Sequence, residues 1–300
     1  MATASTVVTR PRATTPAPTK TSRRPRARRT RWGLTLVGVG IAGLILLPYL
    51  IMLVGALKPR AEILAIPPAY LPQHWTPENF ATMWNTPETP LPQNLVSTLV
   101  MSLGGTLLAM VVAIPAAYYT SRMRFRLRGA FLLLVLVTQM LQPTVLVAGL
   151  FQEFIALGLV DTWLALILIN AAFNLSFAIW ILHSFFSAVP AEIEEAAWLD
   201  GCGRLASLRR VMLPLVWPGL VTAIVFTFIA CWNEFAASLV LLSTDANQPL
   251  TVALTKFVGQ YDVSWQYVFG VSIVGIVPVV VLFGLIERHL VAGLTAGGVK

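Results

Sequence analysis

The chain has 300 residues, of which 57% are hydrophobic and only 11% are charged. Soluble domains are typically about 45–50% apolar, so this composition excludes an ordinary water-soluble globular protein. The formal charge of +8 lies mostly in one stretch before Trp32 that has no acidic residue. It therefore indicates a basic tail, and not a nucleic-acid-binding domain.

The first 31 residues are rich in Thr, Pro and Arg and cannot bury a core. We expect a disordered cytoplasmic tail that associates loosely with anionic membrane lipid. The next stretch, from Trp32 to Leu57, carries no charge and is longer than the apolar core of a signal peptide, which is about 7–15 residues. It is therefore predicted to be a retained first transmembrane span.

Further charge-free windows predict the remaining spans, because a helix needs about 20 apolar residues to cross a bilayer. Pro143 predicts a kink in the third span, and Glu234 is the one charge inside the fifth. The sequence therefore predicts an all-α integral membrane protein with a six-helix domain over residues 32–290. The six windows are Trp32 to Leu57, Asn94 to Ser121, Gly129 to Gln152, Thr162 to Val189, Val211 to Ser243 and Val263 to Ile286.

Basic residues set the expected orientation, since Lys and Arg are enriched in short cytoplasmic segments. Four arginines between Arg122 and Arg128 follow the second span, and Arg204, Arg209 and Arg210 follow the fourth. Both termini are therefore predicted to be cytoplasmic, including a short tail over residues 291–300. The proline-rich segment from Lys58 to Gln93 is predicted to be an irregular external cap.

The loop over residues 190–214 is predicted to be cytoplasmic and partly helical. Pro190 suits a first helical turn, and the glutamates that follow it favour the positive end of the helix dipole. Gly201 and Gly203 supply a helix stop, after which a second short helix is expected from Arg204.

This first loop helix has the features of a docking element. Ala196 and Ala197 leave a shallow surface, while Ile193, Trp198 and Leu199 supply apolar anchors that suit a groove on another protein. The alternative is an amphipathic loop that lies on the membrane. The acidic residues favour docking, because the inner leaflet is negatively charged and attracts Lys and Arg instead.

The spacing within the loop resembles a known family. Glu195-Ala196-Ala197, then Gly201 after three residues, then Val211 and Leu213-Pro214 resemble the EAA loop of binding-protein-dependent ABC importer permeases. Val211 stands where that pattern usually has Ile. The resemblance implies a coupling helix that sits in a cleft of a separate ATPase subunit. The positions it implies for coupling are Glu194, Glu195, Ala196, Ala197, Asp200, Gly201 and Pro214.

Other stretches resemble the carbohydrate branch of this family, especially the maltose-type, MalG-like subunits. They are Thr138-Gln139-Met140, Ile179-Trp180, Phe185-Phe186, Trp232-Asn233-Glu234-Phe235 and the ending from Leu294 to Lys300. The resemblance implies the MetI-like ABC importer permease fold in a bacterial inner membrane. It also implies an oligosaccharide or disaccharide cargo, a second MalF-like permease chain, a MalK-like ATPase dimer and an extracytoplasmic sugar-binding protein.

Polar residues inside the predicted spans are candidates for the translocation pathway. An ionisable group in a span costs about 2.5–3.5 kcal/mol on insertion scales and usually faces a cavity or a partner. Glu234, with Asn233 and Trp232 beside it, suits a sugar, whose hydroxyls need hydrogen bonds and whose rings stack on indole. The alternative for Glu234 is an interhelical hydrogen bond or a gate contact.

Three amides in the third and fourth predicted spans are further candidates. Gln139 precedes Pro143, while Asn170 and Asn174 share one helical face because they are four residues apart. Polar side chains at such positions often only hold a helix bundle together, and that is the favoured interpretation of these three.

The chain is not predicted to be an enzyme or to bind a cofactor. No lysine has the glycines of a P-loop before it, so ATP and Mg²⁺ are expected on the partner ATPase. His183 is expected at the inner end of the fourth span, His289 just beyond the sixth and His74 outside, so the three are not expected to cluster as metal ligands. Remaining alternatives are an ABC permease for amino acids or peptides, an ion-coupled secondary transporter and an intramembrane enzyme, for which Glu234 alone is too little.

Overall fold

The structure is a computed structural model that describes residues 27–67, 69–86, 89–123, 125–141, 143–259 and 261–296, without the side chains of 27–32, 143 and 287–296. Most of the predicted N-terminal tail, and residues 297–300 of the predicted C-terminal tail, therefore lie outside the described residues. In the described part, every regular element is a helix, and the one β-bridge joins Val258 to Val263.

The first part of the chain contains two long helices with two short ones between them. The prolines of the intervening segment prevent a long helix there, as predicted. Pro115 is tolerated inside the fourth helix, which runs without a break for 32 residues. The four helices are α1 (Ala27–Ala56), α2 (Arg60–Ile63), α3 (Glu78–Trp84) and α4 (Leu91–Arg122).

The next two predicted spans take different forms. The window from Gly129 to Gln152 is not one helix, because α5 (Arg128–Met140) and α6 (Pro143–Ala156) meet at a bend of 98°. A proline has no N–H to continue the helical ladder, so a new helix begins at Pro143 instead of the predicted kink. The fourth window forms the single helix α7 (Trp163–Ala188).

The predicted cytoplasmic loop forms α8 (Ala191–Leu199), α9 (Arg204–Ser207), a π-helical turn (Leu208–Met212) and α10 (Leu213–Leu215), and α11 (Trp217–Trp232) follows. The window from Val211 to Ser243, predicted as one fifth span, does not form one continuous helix. The chain bends by 82° at Val216, because Pro218 has no N–H for the preceding turn, and α11 already ends at Trp232.

The chain then forms α12 (Ala236–Leu241), α13 (Leu250–Ala253), a 3-10 turn (Leu254–Phe257) and α14 (Trp265–Ala296). Asp161 fixes the loop after α12, since its carboxylate accepts hydrogen bonds from the N–H groups of Ser243 and Thr244, both at 3.0 Å. Partial burial would raise the pKa of Asp161, but the hydrogen bonds from Thr244 and Ser243 outweigh it and hold the pKa below its usual value.

Four described helical stretches are long and apolar enough to cross a membrane, and two bent helix pairs bring the number to as many as six if each counts as one span. The chain is therefore a multi-pass, all-helical membrane protein. The four stretches are Gly33–Ala56, Leu91–Arg122, Trp163–Ala188 and Trp265–Ile286, and the bent pairs are Arg128–Met140 with Thr144–Ala156 and Arg204–Leu215 with Trp217–Trp232.

Helices α4 and α7 pack closely side by side, and α11 packs against both. A Cβ placed on Gly105 would lie 2.8 Å from the Cβ of Asn170, and one on Gly104 would lie 2.8 Å from Cδ1 of Ile167. Helix association in lipid depends on such close packing, because lipid tails are as apolar as the side chains. The two glycines therefore set the distance between α4 and α7.

Candidate functional site: a docking helix and an internal cavity

Helix α8 ends in a glycine cap. Gly201 has φ +85°, a left-handed conformation that favours glycine. The N–H of Gly201 donates to the carbonyl of Trp198, and that of Cys202 donates to the carbonyl of Ala197, both at 3.0 Å. These two bonds form a Schellman motif, so Gly201 ends the helix as predicted.

One face of α8 is open to its surroundings. Glu195 and Ala196 are exposed, and Leu199 is 90% exposed. Ile193 and Trp198 beside them are 40% and 39% exposed. An acidic helix with apolar side chains on its open face can bind a groove on another protein.

The predicted coupling residues divide between the two sides of α8. Glu194 and Ala197 face the rest of the chain and are only 2% and 8% exposed. Asp200 and Gly201 are exposed where the helix ends, and Pro214 is exposed in α10. The structure thus brings Glu195, Ala196, Asp200 and Gly201 to the open surface and turns Glu194 and Ala197 inward.

Glu194 belongs to a buried triad with Tyr118 and Arg122, two residues in the last turns of α4. The Tyr118 hydroxyl donates a hydrogen bond to Oε1 of Glu194. Arg122 Nε lies 3.1 Å from Glu194 Oε2, and the arginine side chain is 9% exposed. Tyr118 packs edge-on against Phe186 of α7, with ring centroids 5.8 Å apart. The triad joins α8 to the end of α4.

Sequence reasoning missed the two partners of Glu194. In the sequence, Arg122 stands out only as one of several basic residues that set the orientation, and Tyr118 does not stand out. Their spacing of four residues places them on one face of α4, which was the available signal. No pattern in the sequence links that face to a glutamate 72 residues beyond Arg122.

The second part of the candidate site is a cavity of about 390 Å³ between α5, α7 and the junction of α11 with α12. This volume lies within the range of about 300–1,000 Å³ that is common for ligand pockets. Five of the six predicted pathway residues line it: Gln139, Asn170, Asn174, Asn233 and Glu234. Sequence reasoning did not select Thr138 and Phe173, which line it as well.

The cavity offers polar groups that the chain itself leaves unused. The side-chain amides of Gln139 and Asn170 make no hydrogen bond to any described residue. Asn174 donates to the carbonyl of Asn170 at 2.8 Å, and Asn233 donates to the carbonyl of Ile229 at 2.8 Å, so the amide oxygens of both asparagines remain without a partner among the described residues. Such groups can bind the hydroxyls of a ligand.

Glu234 has a structural role in addition to its place at the cavity. Its carboxylate accepts hydrogen bonds from the N–H groups of Ala237 at 2.6 Å and Ser238 at 3.0 Å, which caps α12. These bonds join Glu234 to residues only three and four positions later in the chain, so they differ from the interhelical hydrogen bond that was the predicted alternative. Trp232 lies apart from the cavity, since its Nε1 donates to the carbonyl of Gly275 in α14 at 3.1 Å.

Comparison with known proteins gives a consistent result over most of the chain. Residues 105–294 match the family model described as "Binding-protein-dependent transport system inner membrane component". The chain is 35% identical over 255 residues to "Inner membrane ABC transporter permease protein YcjP" of Escherichia coli (strain K12), an alignment that covers 85% of this chain and 91% of that protein.

A second relative is "Trehalose/maltose transport system permease protein MalG" of Thermococcus litoralis, which is 30% identical over 269 residues, with 89% of this chain and 96% of that protein covered. Among solved structures, a bacterial ABC transporter involved in the import of the acidic polysaccharide alginate aligns with a TM-score of 0.71. That alignment covers 89% of this chain and 99% of the other at 22% identity. It shows a common fold.

Proposed function

Because the chain belongs to the family of binding-protein-dependent transport system inner membrane components, we propose that it forms half of the translocation pathway of an ABC importer for an oligosaccharide or disaccharide. The finer points of the proposal are the cargo, the partner that docks on α8, the residues in contact with each, and the orientation in the membrane.

The open face of α8 is the observation that supports the proposal most directly. It presents Glu195, Ala196 and Leu199 outside the membrane-length helices, next to the glycine cap at Gly201. A helix that short cannot hold a partner by area alone, so the apolar side chain of Leu199 would enter a groove while Glu195 pairs at its rim. We assign this face to a separate ATPase subunit, which binds the ATP and Mg²⁺.

The cavity supports a sugar as cargo. Sugars carry many hydroxyls, and a site for them needs donors and acceptors that the protein does not use itself. The amides of Gln139 and Asn170 meet that need, and the ring of Phe173 supplies an apolar wall. The printed name of the Thermococcus relative assigns trehalose and maltose to that protein, which belongs to the same chemical class.

Membership of the family supports the remaining partners, and the basic residues support the orientation. A second, similar permease chain would complete the pathway, and an extracytoplasmic binding protein would deliver the sugar. We place both termini and α8 in the cytoplasm, because the basic residues flank that side.

The test is to reconstitute the chain with its partner permease, ATPase and binding protein in proteoliposomes. ATP hydrolysis and uptake would be measured across a panel of mono- and oligosaccharides, with amino acids and dipeptides as comparison solutes. We expect stimulation by an oligosaccharide or disaccharide. In Gln139→Ala, the half-saturating sugar concentration should rise about 2- to 10-fold, as expected for one lost hydrogen bond.

Gln152→Ala is the matched control, because Gln152 is exposed on α6 and does not line the cavity. Stimulation by no sugar would overturn the proposed cargo, and stimulation by amino acids or peptides would support the other class of ABC permease. Uptake that persists without the ATPase would instead indicate an ion-coupled secondary transporter.

A further inference from the structure

The buried triad of Tyr118, Arg122 and Glu194 connects α8 to α4. A carboxylate that is only 2% exposed is costly to bury unless it is paired and hydrogen-bonded. Oε1 of Glu194 accepts a hydrogen bond from the Tyr118 hydroxyl, and Oε2 forms an ion pair with Arg122, whose Nε lies 3.1 Å away. The first turns of α8 are thus held firmly to the last turns of α4.

Arg122 extends this attachment to both sides of α8. Its Nη2 donates to the carbonyl of Val189, just before the helix, at 2.9 Å. The same nitrogen lies 3.7 Å from Sδ of Met212, which ends the π-helical turn after α9 and is fully buried. The whole loop that presents α8 is therefore gathered around one guanidinium at the end of α4.

Helix α4 is continuous from Arg122 back to Leu91, a length of about 48 Å at 1.5 Å per residue. Halfway along it, Gly105 lies against Asn170, one of the residues that line the cavity. At its far end, Asn94 donates to the carbonyl of Gln248 at 2.7 Å and Thr98 accepts from the N–H of Leu250 at 2.8 Å. One continuous helix thus contacts α8, the cavity wall and the start of α13.

We propose that the buried triad transmits displacement of α8 to α4, so that Tyr118, Arg122 and Glu194 are positioning residues for the coupling of ATP hydrolysis to transport. This inference rests on the proposed function. The triad holds the inner face of α8, while the ATPase binds the open face. Breaking it should leave docking intact and allow α8 to move without α4.

Two variants test the hydrogen bond between Tyr118 and Glu194, and each changes one of the two residues. Glu194→Gln removes the charge at nearly constant shape, and Tyr118→Phe removes the hydroxyl but keeps the ring against Phe186. In the reconstituted full complex we expect both to retain the ATPase subunit and to hydrolyse ATP. Sugar transported per ATP should fall about fivefold or more, the lower end of typical coupling between two sites.

The double variant and a matched control separate this role from simple stabilisation. Because both residues act through one linkage, Tyr118→Phe combined with Glu194→Gln should be no worse than the poorer single variant. Glu192→Gln makes the same chemical change at an exposed position of α8. It should transport as much sugar per ATP as the unmodified chain.

An unchanged ratio in both single variants would overturn the inference. Losses of sugar transported per ATP that multiply in the double variant would also overturn it. Loss of the assembled complex in both single variants would overturn it too, because a purely structural clamp predicts that loss. If the unmodified chain does not retain the ATPase, the proposed function fails and the inference fails with it.

Discussion

At the scale of single residues, Gly201 shows how one backbone angle determines a surface. Its φ of +85° lets α8 stop where Asp200 and Leu199 face outward. We predict that Gly201→Asp lowers the ATPase that co-purifies with the chain by about fivefold, because an L-residue is strained there by about 1 kcal/mol or more. Membrane insertion should be unchanged, since α8 belongs to no candidate span.

Gly203→Asp is the matched control for this prediction. It adds the same charge two residues away at an exposed position whose φ of −69° any residue adopts. Normal co-purification in Gly203→Asp and loss in Gly201→Asp would assign the effect to the end of α8. Equal loss in both variants would assign it to charge and contradict the role of the glycine cap.

Some of these residue-scale features could be predicted from the sequence and others could not. A glycine after an acidic helix start is a local signal, so the stop at Gly201 was predictable. Asn170 and Asn174 were found because a polar residue in an apolar span is conspicuous. The inward orientation of Glu194 was not predictable, because it depends on Tyr118 and Arg122, whose contact with α8 is made only by the tertiary fold.

At the scale of helices, the contact of α4 with α7 depends on small residues. We predict that Gly105→Leu lowers the thermal stability of the purified protein and its transport, because the new Cβ would lie 2.8 Å from the Cβ of Asn170 and 3.4 Å from Sγ of Cys231. Overpacking of this kind typically costs about 1–3 kcal/mol. Thermal unfolding in detergent would measure the first effect and proteoliposome uptake the second.

Gly149→Leu in α6 is the comparison variant, because a Cβ at Gly149 meets nothing within 4 Å among the described residues. Gly149→Leu should unfold at the same temperature as the unmodified chain. If Gly105→Leu is equally stable, α4 and α7 do not need their close approach, and Gly105 does not support the cavity wall.

Hydropathy predicted the spans better than their internal breaks. Apolar windows predicted α4, α7 and the stretch Trp265–Ile286 of α14, because the length of a span is set by bilayer thickness. They did not show the bend before α11 at Pro218, and the kink predicted at Pro143 is in fact a break between two helices. Composition does not report whether a proline kinks a helix or begins a new one, because that depends on the packing around it.

At the scale of the whole molecule, the predicted all-helical permease fold is confirmed by the family match and by the structural likeness to an ABC importer. The spacing from Glu195 to Pro214 carried that prediction, since it depends on chain order and not on tertiary contacts. The cavity could not be predicted from the sequence, because the residues that line it, such as Gln139, Asn170 and Glu234, are distant in the chain.

We predict the orientation of the molecule in the membrane from the basic residues beside α8. In a Cys202→Ala background, Leu205→Cys next to α8 should react with a membrane-impermeant maleimide only after the cells are permeabilised. Tyr261→Cys, before α14, should react in intact cells, because that side chain is 93% exposed and lies across an odd number of predicted spans from Leu205, whose side chain is 61% exposed. The reverse pattern would place α8 outside the cell, where no ATP is supplied, and would contradict the docking of an ATPase on its open face.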